Sequence, residues 1–501
     1  MEEEKQRGKG NRIILMPSPF QGHITPLLQL ANILYSKGFS ITIVHTVFNS
    51  PDPSSYPHFS FLPLHGALSE TEASKVDAVH LTEVINVRCV QPLKECLTLL
   101  LSHDKVKEDG CVSCFIVDAA LYFTQGVCDE VGVPRIVLRT GGASSFLVFA
   151  SFPLLREKGY FPVQGLRVGV APIVETMVEF EHVVGKFVDS EVRIVDQMKE
   201  SRSEEVVVDL PPLKVKDLPV FQSKEPEAFY KLVCRFVDEC KKSSGIIWNT
   251  FEELESSALT KLRQDFSVPI YPIGPFHKYS LAGSNSTSLL TPDKTCISWL
   301  DKQEQKSVVY VSFGSIVAIS EEEFLEIAWG LVNSNQPFLW AIRPGTIRGS
   351  EWLEPLPSGF LENLGERGYI VKWAPQEQVL KHPAVGAFWT HNGWNSTLES
   401  VCEGVPMICM PSFGDQKINA KYASDVWKVG LQLENKLERG EIEKVIRKLM
   451  LGDEANEIRE NVMNLKEKAN VCLKKGGSSY CFLDSLVSEI LSLKSSTRRA
   501  Q

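Results

Sequence analysis

The stretch from Trp373 to Gln416, WAPQEQVLKHPAVGAFWTHNGWNSTLESVCEGVPMICMPSFGDQ, predicts a strand–helix–strand unit with a ligand site at its turn. The apolar runs Val385 to Trp389 and Met407 to Met410 have the composition of buried parallel strands. Asn395 and Ser396 are favourable N-cap residues, so we expect the intervening helix to begin there. The positive end of the helix dipole would then lie at the carboxyl edge of the sheet, where an anion such as phosphate binds.

Polar and aromatic side chains around this turn match the parts of a nucleotide sugar. His391 can donate a hydrogen bond to a phosphate oxygen, and Glu399, about one helical turn beyond Asn395, can accept from ribose hydroxyls. The flat face of Trp373 is suited to stacking on a base. Asp415 and Gln416 are adjacent and offer the acceptors and donors that the hydroxyls of a hexose require. Together they indicate a nucleotide-sugar site.

The whole segment resembles, without gaps, the signature box of plant secondary-metabolite UDP-glycosyltransferases. The donor-binding residues implied by the resemblance are Thr140, Ser315, Trp373, Ala374, Gln376, His391, Gly393, Trp394, Asn395, Ser396, Glu399, Asp415 and Gln416. Of these, Trp373 would stack on uracil, Gln376 and Glu399 would lie by the ribose, His391, Asn395 and Ser396 would hold the diphosphate, and Trp394, Asp415 and Gln416 would contact the sugar. A terminal Gln goes in this family mostly with glucose donors. The alternative is a buried helix and two strands whose polar residues are incidental.

Composition excludes several other classes of protein. A chain of 501 residues predicts two to three domains, and its 43% hydrophobic and 23% charged content is typical of a soluble globular protein. The net charge of -9 argues against a nucleic-acid partner. The amino end lacks the apolar run of a secretory signal, and no apolar stretch reaches the roughly 20 residues of a membrane span. We therefore expect a cytoplasmic monomer without a membrane span.

The 12 cysteines, without a secretory signal, are expected to be reduced thiols. Cys111 and Cys114 form one CxxC pair, but they lie in an apolar run and no second ligand pair accompanies them. Packing is favoured over the alternative of a metal or redox role. We expect no metal site.

The first part of the chain predicts a β-α-β unit. A strand from Arg12 to Met16 is followed by the loop PSPFQGH and a helix for which Thr25 would be the cap and Pro26 the first helical residue. The next strand runs from Phe39 to Val44. Further strands are predicted at Val112 to Val117, Pro134 to Leu138, Gly245 to Thr250, Ser307 to Val311, Phe338 to Ile342 and Tyr369 to Lys372. Ser320 and Glu323 predict a capping box.

Two such series resemble the GT-B architecture of the family, an α/β fold in which two Rossmann-like, doubly wound parallel-sheet domains face each other across a cleft. We expect an acceptor-binding domain at 1–250, a linker region at 251–290 that includes Pro269 to Pro275, a UDP-sugar-binding domain at 291–475, and a C-terminal helix at 476–501 that returns to the first domain. One segment departs from the family, since about 165–200 is longer than its usual short acidic loop. An added exon or an unspliced intron is our hypothesis for it.

Transfer of a sugar to a hydroxyl requires a base, and a positioned neutral histidine is the commonest. His23 lies between a strand end and a helix start, where the dipole disfavours its charged form. Asp118, at the carboxyl end of another strand, could bond the other ring nitrogen and stabilise the imidazolium. In the family the matching His and Asp are the catalytic dyad. From the sequence alone, capping or packing would be the commoner role of such a histidine.

Two parts of the predicted site are harder to assign. Thr140 matches a family contact near the sugar or phosphate, but Gly141 and Gly142 follow where the family has hydroxyl residues. Aromatic residues near the predicted base would suit a flat or hydrophobic acceptor, or would equally suit the core. They are Phe20, Tyr122, Phe123, Phe146 and Phe149.

The resemblance implies an inverting, metal-independent transfer of glucose from UDP-glucose to a hydroxyl of a small lipophilic plant metabolite such as a flavonoid, terpenoid, hormone or phenolic. UDP-glucose is the co-substrate and no cofactor is expected. Alternatives are a different donor sugar, an N- or S-acceptor, or a protein that only binds a nucleotide sugar or metabolite. A dinucleotide oxidoreductase is disfavoured, because PSPFQGH stands where GxGxxG would follow the first strand.

Overall fold

The computed structural model describes residues 8, 10–65, 78–103, 111–160, 203–210, 212–219, 226–279, 290–433 and 437–499. The atypical segment at about 165–200 lies outside these residues. The strands are β1 Asn11–Met16, β2 Ser40–Thr46, β3 Ser60–Leu64, β4 Cys111–Asp118, β5 Arg135–Arg139, β6 Gly245–Trp248, β7 Ile270–Pro272, β8 Val308–Ser312, β9 Phe338–Ala341, β10 Gly368–Val371, β11 Val385–Thr390, β12 Met407–Cys409 and β13 Gly430–Gln432. All of the strands predicted above are present, with ends that agree to within two residues.

The α-helices of the described residues lie between these strands and after the last of them. They are α1 Gln21–Ser36, α2 Ala78–Arg88, α3 Val90–His103, α4 Thr124–Val131, α5 Ala143–Ala150, α6 Phe152–Glu157, α7 Pro226–Lys241, α8 Glu252–Asp265, α9 Thr295–Leu300, α10 Glu321–Ser334, α11 Phe360–Leu364, α12 Gln376–Lys381, α13 Trp394–Glu403, α14 Gln416–Lys421, α15 Arg439–Leu451, α16 Ala455–Cys472 and α17 Ser478–Arg499. None of them combines the length and apolarity of a bilayer span.

The strands form two separate, fully parallel sheets. The first has the order β3-β2-β1-β4-β5-β6-β7 and the second the order β10-β9-β8-β11-β12-β13. In both, the order reverses beside the first strand of the sheet, which is the point where ligands bind in doubly wound folds. The predicted α/β architecture with two Rossmann-like sheets is confirmed.

Helices cover both faces of the first sheet. Ile13 and Leu15 of β1 pack on one face with Leu27 of α1, whereas Ile14 and Met16 pack on the other. A strand that is buried on both faces needs apolar residues at consecutive positions, and β1 supplies them from Ile13 to Met16.

Helix α17 completes the core of this first sheet. Its residues Leu483, Leu486, Val487 and Ile490 are at most 2% exposed and pack in the same cluster as Ile13. At the start of the helix, the Ser479 hydroxyl donates to the Gly274 carbonyl oxygen at 2.6 Å. The last helix of the chain is therefore packed on the first sheet.

Two local predictions are corrected. Helix α1 begins at Gln21 with Phe20 as N-cap, so that Pro26 lies inside the helix and Thr25 does not cap it. Pro26 is tolerated because the one acceptor it deprives of an N–H, the Gly22 carbonyl four residues earlier, has another donor. Pro269 to Pro275 is not only a linker, since it contains β7, the last strand of the first sheet.

The predicted capping box of α10 is confirmed. The Ser320 side chain accepts from the Glu323 N–H at 3.1 Å, and the Glu323 carboxylate accepts from the Ser320 N–H at 2.7 Å. This reciprocal pair satisfies two of the N–H groups that a helix start leaves without partners.

Candidate active site

A cavity of about 660 Å³ lies at the carboxyl ends of the strands and is lined by residues of both halves of the chain. It contains nearly all of the predicted site residues: His23, Thr140, Ser315, Trp373, Ala374, Gln376, His391, Gly393, Trp394, Asn395, Ser396, Glu399, Asp415 and Gln416. Asp118 does not line it and lies behind His23. Residues up to 393 positions apart are thus brought into one site because both sheets direct their strand ends at it.

His23 and Asp118 form a hydrogen-bonded pair. His23 Nδ1 lies 2.7 Å from Asp118 Oδ2, with the His23 side chain 33% exposed and that of Asp118 2% exposed. The other carboxylate oxygen accepts from the Ala120 N–H at 2.9 Å and the Ser18 hydroxyl at 3.2 Å. Burial acts to raise the pKa of Asp118, but His23 and the hydrogen bonds outweigh it and hold the pKa below its usual value. The ionised carboxylate can only accept, so Nδ1 carries the proton and Nε2 is free to act as a base.

His391 is packed tightly between two glycines. A Cβ at Gly314, whose φ is +74°, would lie 2.6 Å from His391 Cε1, and a Cβ at Gly393 would lie 2.5 Å from His391 Nε2. Burial lowers the pKa of His391 to about 4, although the Ser312 backbone opposes the shift. The imidazole is therefore neutral near pH 7 and has one N–H to donate.

Helix α13 begins one residue earlier than predicted. It starts at Trp394 with Gly393 as N-cap, and no side chain caps it. Instead of capping, Asn395 Nδ2 donates to the Gly22 carbonyl oxygen at 2.9 Å, and Ser396 Oγ accepts from Gln376 Nε2 at 2.9 Å. The first N–H groups of the helix, directed at the cavity, remain available to an anion.

Gln376 and Glu399 are joined by a hydrogen bond. Gln376 Nε2 donates to Glu399 Oε2 at 2.7 Å, and its Oε1 accepts from the Tyr310 hydroxyl at 3.3 Å. Burial, and then the charge of Glu377, raise the pKa of Glu399 to about 8, against the effect of Gln376. The cavity thus holds a carboxyl group that titrates near neutral pH.

Asp415 and Gln416 lie together at the start of α14, as their adjacency predicts. Gln416 Oε1 accepts from the Ser412 and Phe413 N–H groups at 2.9 and 3.1 Å, which fixes its amide and leaves the NH₂ group as the donor. Burial raises the pKa of Asp415, while Asn419, Arg139 and His23 oppose the shift. The pair therefore presents a carboxyl group and an oriented amide.

The two glycines after Thr140 are explained by close packing. A Cβ at Gly142 would lie 2.8 Å from the ring of Trp394, and a Cβ at Gly141 would lie 3.0 Å from Asp415 Oδ2. The Trp394 indole N–H donates to the Asn249 carbonyl oxygen at 2.8 Å, which holds the ring in this place. Larger residues are excluded because the two halves of the chain touch here.

Glu255 is a residue of this wall that sequence reasoning missed. It is 3% exposed, and its carboxylate accepts from the Ala143 and Ser144 N–H groups at the start of α5, at 2.9 and 2.8 Å. The only sequence signal is one Glu in the acidic run EELE, which is typical of a solvated helix face. The backbone departs from the helical conformation at Glu255, where φ is -127° and ψ is 31°.

The aromatic residues proposed for the acceptor divide between cavity and core. Phe20 and Phe149 line the cavity. Phe146 is fully buried in the core, and Tyr122 and Phe123 pack against core clusters without lining the cavity. The apolar lining that the sequence did not predict comes mainly from α7, through Phe229, Leu232, Val233 and Phe236.

Known proteins resemble this chain over nearly its whole length. Residues 250–469 match the family model described as "UDP-glucoronosyl and UDP-glucosyl transferase". UDP-glycosyltransferase 76B1 of Arabidopsis thaliana is 49% identical over 480 residues, which cover 96% of this chain and 98% of the relative. UDP-glycosyltransferase 76G1 of Stevia rebaudiana is 46% identical over 498 residues, which cover 96% and 97%.

A solved structure shares the fold. Phytolacca americana UGT2, complexed with UDP-2fluoro-glucose and pterostilbene, superposes with a TM-score of 0.75 at 27% identity. The match covers 96% of this chain and 99% of that one.

Proposed function

Since the chain belongs to the plant UDP-glycosyltransferase family, whose members transfer glycosyl groups to small-molecule acceptors, we propose that it transfers glucose from UDP-glucose to a hydroxyl of a small lipophilic plant metabolite, with inversion at C1. The products are a β-glucoside and UDP. The observation that carries this proposal is the 2.7 Å pair of His23 and Asp118 at the wall of the shared cavity.

In this mechanism His23 is the general base. Its Nε2 takes the proton of the acceptor hydroxyl as the oxygen attacks C1, and the bond from C1 to the UDP oxygen breaks on the opposite face. Asp118 holds Nδ1–H and stabilises the imidazolium that forms, which fits its ionised state. The partly exposed His23 can reach the acceptor as the base, and the buried Asp118 can hold His23 in place.

The donor would be held by the segment from Trp373 to Gln416. We assign the base to Trp373 and Ala374, and the ribose to Gln376 and Glu399, whose carboxyl accepts from the hydroxyls. The uncapped start of α13 would bind the diphosphate. The further diphosphate residues are His391, Gly393, Asn395, Ser396 and Ser315, and the sugar residues are Thr140, Trp394, Asp415 and Gln416.

We also propose that different parts of the chain bind the acceptor and the donor. Residues 1–250 would bind the acceptor and 291–475 the UDP-sugar, with 251–290 connecting them and 476–501 returning to the first part. The structure of Phytolacca americana UGT2 holds both a UDP-sugar analogue and pterostilbene, which supports a single cavity for donor and acceptor.

One assay tests the reaction. The protein is incubated with UDP-glucose and a panel of phenolic and terpenoid alcohols, and the product is analysed for its anomeric configuration. His23→Ala is expected to lower kcat by about 10²- to 10⁴-fold. The exposed His80, which does not line the cavity, provides the control variant His80→Ala. Unaltered turnover in His23→Ala would refute the dyad, and UDP binding without any transfer would identify a binding protein.

The choice of donor sugar has its own test at Gln416. Its amide oxygen is held by two backbone N–H groups, so only the NH₂ group can donate to a sugar hydroxyl. In Gln416→His, the imidazole cannot both accept from the two backbone N–H groups and donate as the amide does. We therefore expect a shift in preference among UDP-hexoses. Equal preference before and after would remove Gln416 from the sugar site.

A further inference from the structure

Arg139 is a buried cation in the wall of the cavity, beside the proposed base. It is the last residue of β5 and 8% exposed, and it lines the cavity. The next residue, Thr140, has its Oγ1 3.1 Å from His23 Nδ1. The guanidinium therefore belongs to the part of the cavity that an acceptor hydroxyl must enter to reach His23.

The guanidinium has aromatic neighbours but no hydrogen bond within the part of the chain that the structure describes. Its Cζ lies 4.8 Å from the ring centre of Phe146 and 5.1 Å from that of Phe236. Its Nε is buried without a partner, and no described residue forms a hydrogen bond or ion pair with the group. By contrast, the buried Arg135, on the same strand, donates to Thr124 Oγ1, Gln125 Oε1 and the Glu239 carbonyl oxygen at 2.9 to 3.0 Å.

An unpaired buried guanidinium is costly, because arginine stays protonated and loses its hydration. Burial lowers the pKa of Arg139, and Cys240, Asp118 and Asp415 oppose the shift at longer range. Asp118 is already bonded to His23, Ala120 and Ser18. The donors of Arg139 are thus left to a group that enters the cavity.

Many of the side chains that line the cavity near Arg139 are apolar. Phe149 of α5 and Phe229, Leu232, Val233 and Phe236 of α7 line it. One cation in an apolar wall suits a ligand with an apolar body and one carboxylate, since guanidinium binds carboxylate through two parallel hydrogen bonds.

We propose that the acceptor is a small hydroxy acid, whose carboxylate pairs with Arg139 while its hydroxyl faces His23. This inference rests on the proposed transferase function and names its class of acceptor. The hydroxyl proton passes to His23 Nε2, the new bond joins the hydroxyl oxygen to C1, and the bond from C1 to the UDP oxygen breaks. The carboxylate is unchanged and serves only to orient the acceptor.

The test compares the ortho, meta and para isomers of hydroxybenzoic acid with their methyl esters, which keep the hydroxyl and lose the charge. For at least one isomer, kcat/KM for the acid is expected to exceed that for its ester by roughly tenfold to a hundredfold. Arg139→Met should reduce this ratio to about one, and Arg139→Lys should keep part of it. In the control variant Arg235→Met, which removes an exposed cation of α7 outside the cavity, the ratio should not change.

Binding and stability measurements separate this proposal from the proposed function. Calorimetric titration of the acids into the UDP-loaded protein reports the site without turnover, and thermal unfolding shows that Arg139→Met is folded. Binding that depends on Arg139 without any transfer would support the carboxylate site at Arg139 and refute the proposed transferase function. Equal kcat/KM for acids and esters, unaffected by Arg139→Met, would refute the carboxylate site at Arg139 but not the proposed transferase function. Conversion of the hydroxybenzoic acids to glucose esters, with their hydroxyls untouched, would overturn the proposed orientation.

Discussion

Asn395 donates a hydrogen bond to the carbonyl oxygen of Gly22, 373 residues earlier in the chain, at 2.9 Å. The acceptor is available because Pro26, four residues after Gly22, has no N–H to offer it within helix α1. The proline thus leaves open a carbonyl next to His23, and the start of helix α13 binds it. This contact joins the first turn of helix α1, which carries the proposed base, to the proposed phosphate site.

The variant Pro26→Ala separates stability from activity at this contact. The new N–H can bond the Gly22 carbonyl within the helix, so the free energy of unfolding should rise by about 1 to 3 kcal/mol. The same bond competes with Asn395, and kcat/KM should fall by about two- to tenfold, which corresponds to one hydrogen bond. Thermal unfolding and steady-state kinetics measure the two effects. A rise in stability with unchanged kcat/KM would show that the contact has no part in activity.

The variant Gly142→Ala tests the close contact between the two halves of the chain. The added methyl group would lie 2.8 Å from the Trp394 ring and 3.0 Å from Glu255 Oε1, and neither group can move away easily. We expect a loss of about 1 to 3 kcal/mol in the free energy of unfolding and a higher KM for the UDP-sugar. Gly126→Ala is the matched control, because a Cβ there meets nothing within 4 Å and Gly126 lies in helix α4. The control should be neutral or slightly stabilising; equal effects of both variants would contradict the prediction.

The variant Glu255→Ala should be strongly destabilising. It leaves the N–H groups of Ala143 and Ser144 buried without an acceptor, at a cost of roughly 2 to 5 kcal/mol. Glu255→Gln retains one acceptor oxygen and should fall in between. Glu253→Ala, two residues away on the exposed side of the same helix, is expected within about 0.5 kcal/mol of the parent. Denaturant unfolding measures all three, and equal loss for Glu253 and Glu255 would rule out a specific role.

The variant Glu399→Gln tests the buried carboxyl group through pH. Because the pKa of Glu399 is raised from 4.5 to about 8, the folded protein holds this proton more tightly than the unfolded chain does. Its contribution to stability is therefore complete below 4.5 and is lost as the pH rises toward 8. Unfolding curves at several pH values should show a decline in this interval that is weaker in Glu399→Gln. An identical decline would assign it to other groups.

Donor binding should also depend on Glu399. Ribose hydroxyls donate best to the ionised carboxylate, so UDP binding at pH 7 is expected to release a proton. Calorimetry in buffers of different ionisation enthalpy measures the release, which Glu399→Gln should abolish. Equal release by the two proteins would exclude Glu399 as its source.

The sequence predicted the parts of the site that lie at strand ends. A strand, the turn after it and the start of the next helix are close in sequence, and parallel strands bring such turns to one edge of the sheet. His391, Glu399 and Asp415 could therefore be assigned to one site from the sequence. His23 and Asp118 were predicted for the same reason. The predicted helix starts at Asn395 and Pro26 were wrong. Each residue follows a rule for helix starts, but Asn395 binds the Gly22 carbonyl of the other half of the chain, and the same bond satisfies the acceptor that Pro26 leaves open.

Contacts between distant segments could not be predicted in this way. Glu255 has the composition of a solvated helix residue, and only its partners 111 and 112 positions earlier distinguish it. Phe229 and Phe236 form an apolar helix face that would suit core or cavity equally. Arg139 continues a buried strand, and nothing in the sequence shows that it lacks the partners that Arg135 has.

The packing of α17 on the first sheet has a consequence for biosynthesis. A ribosome makes the strands of the first sheet, which end with β7 at Pro272, before it makes the second sheet and then Leu483, Leu486, Val487 and Ile490 of α17. Until α17 is made, the part of this sheet face that its residues cover stays exposed to solvent and to chaperones, although α1 can already pack on Ile13 and Leu15. The first sheet therefore completes its folding after the second sheet has been synthesised, and a chain that is released shortly before α17 is prone to aggregation.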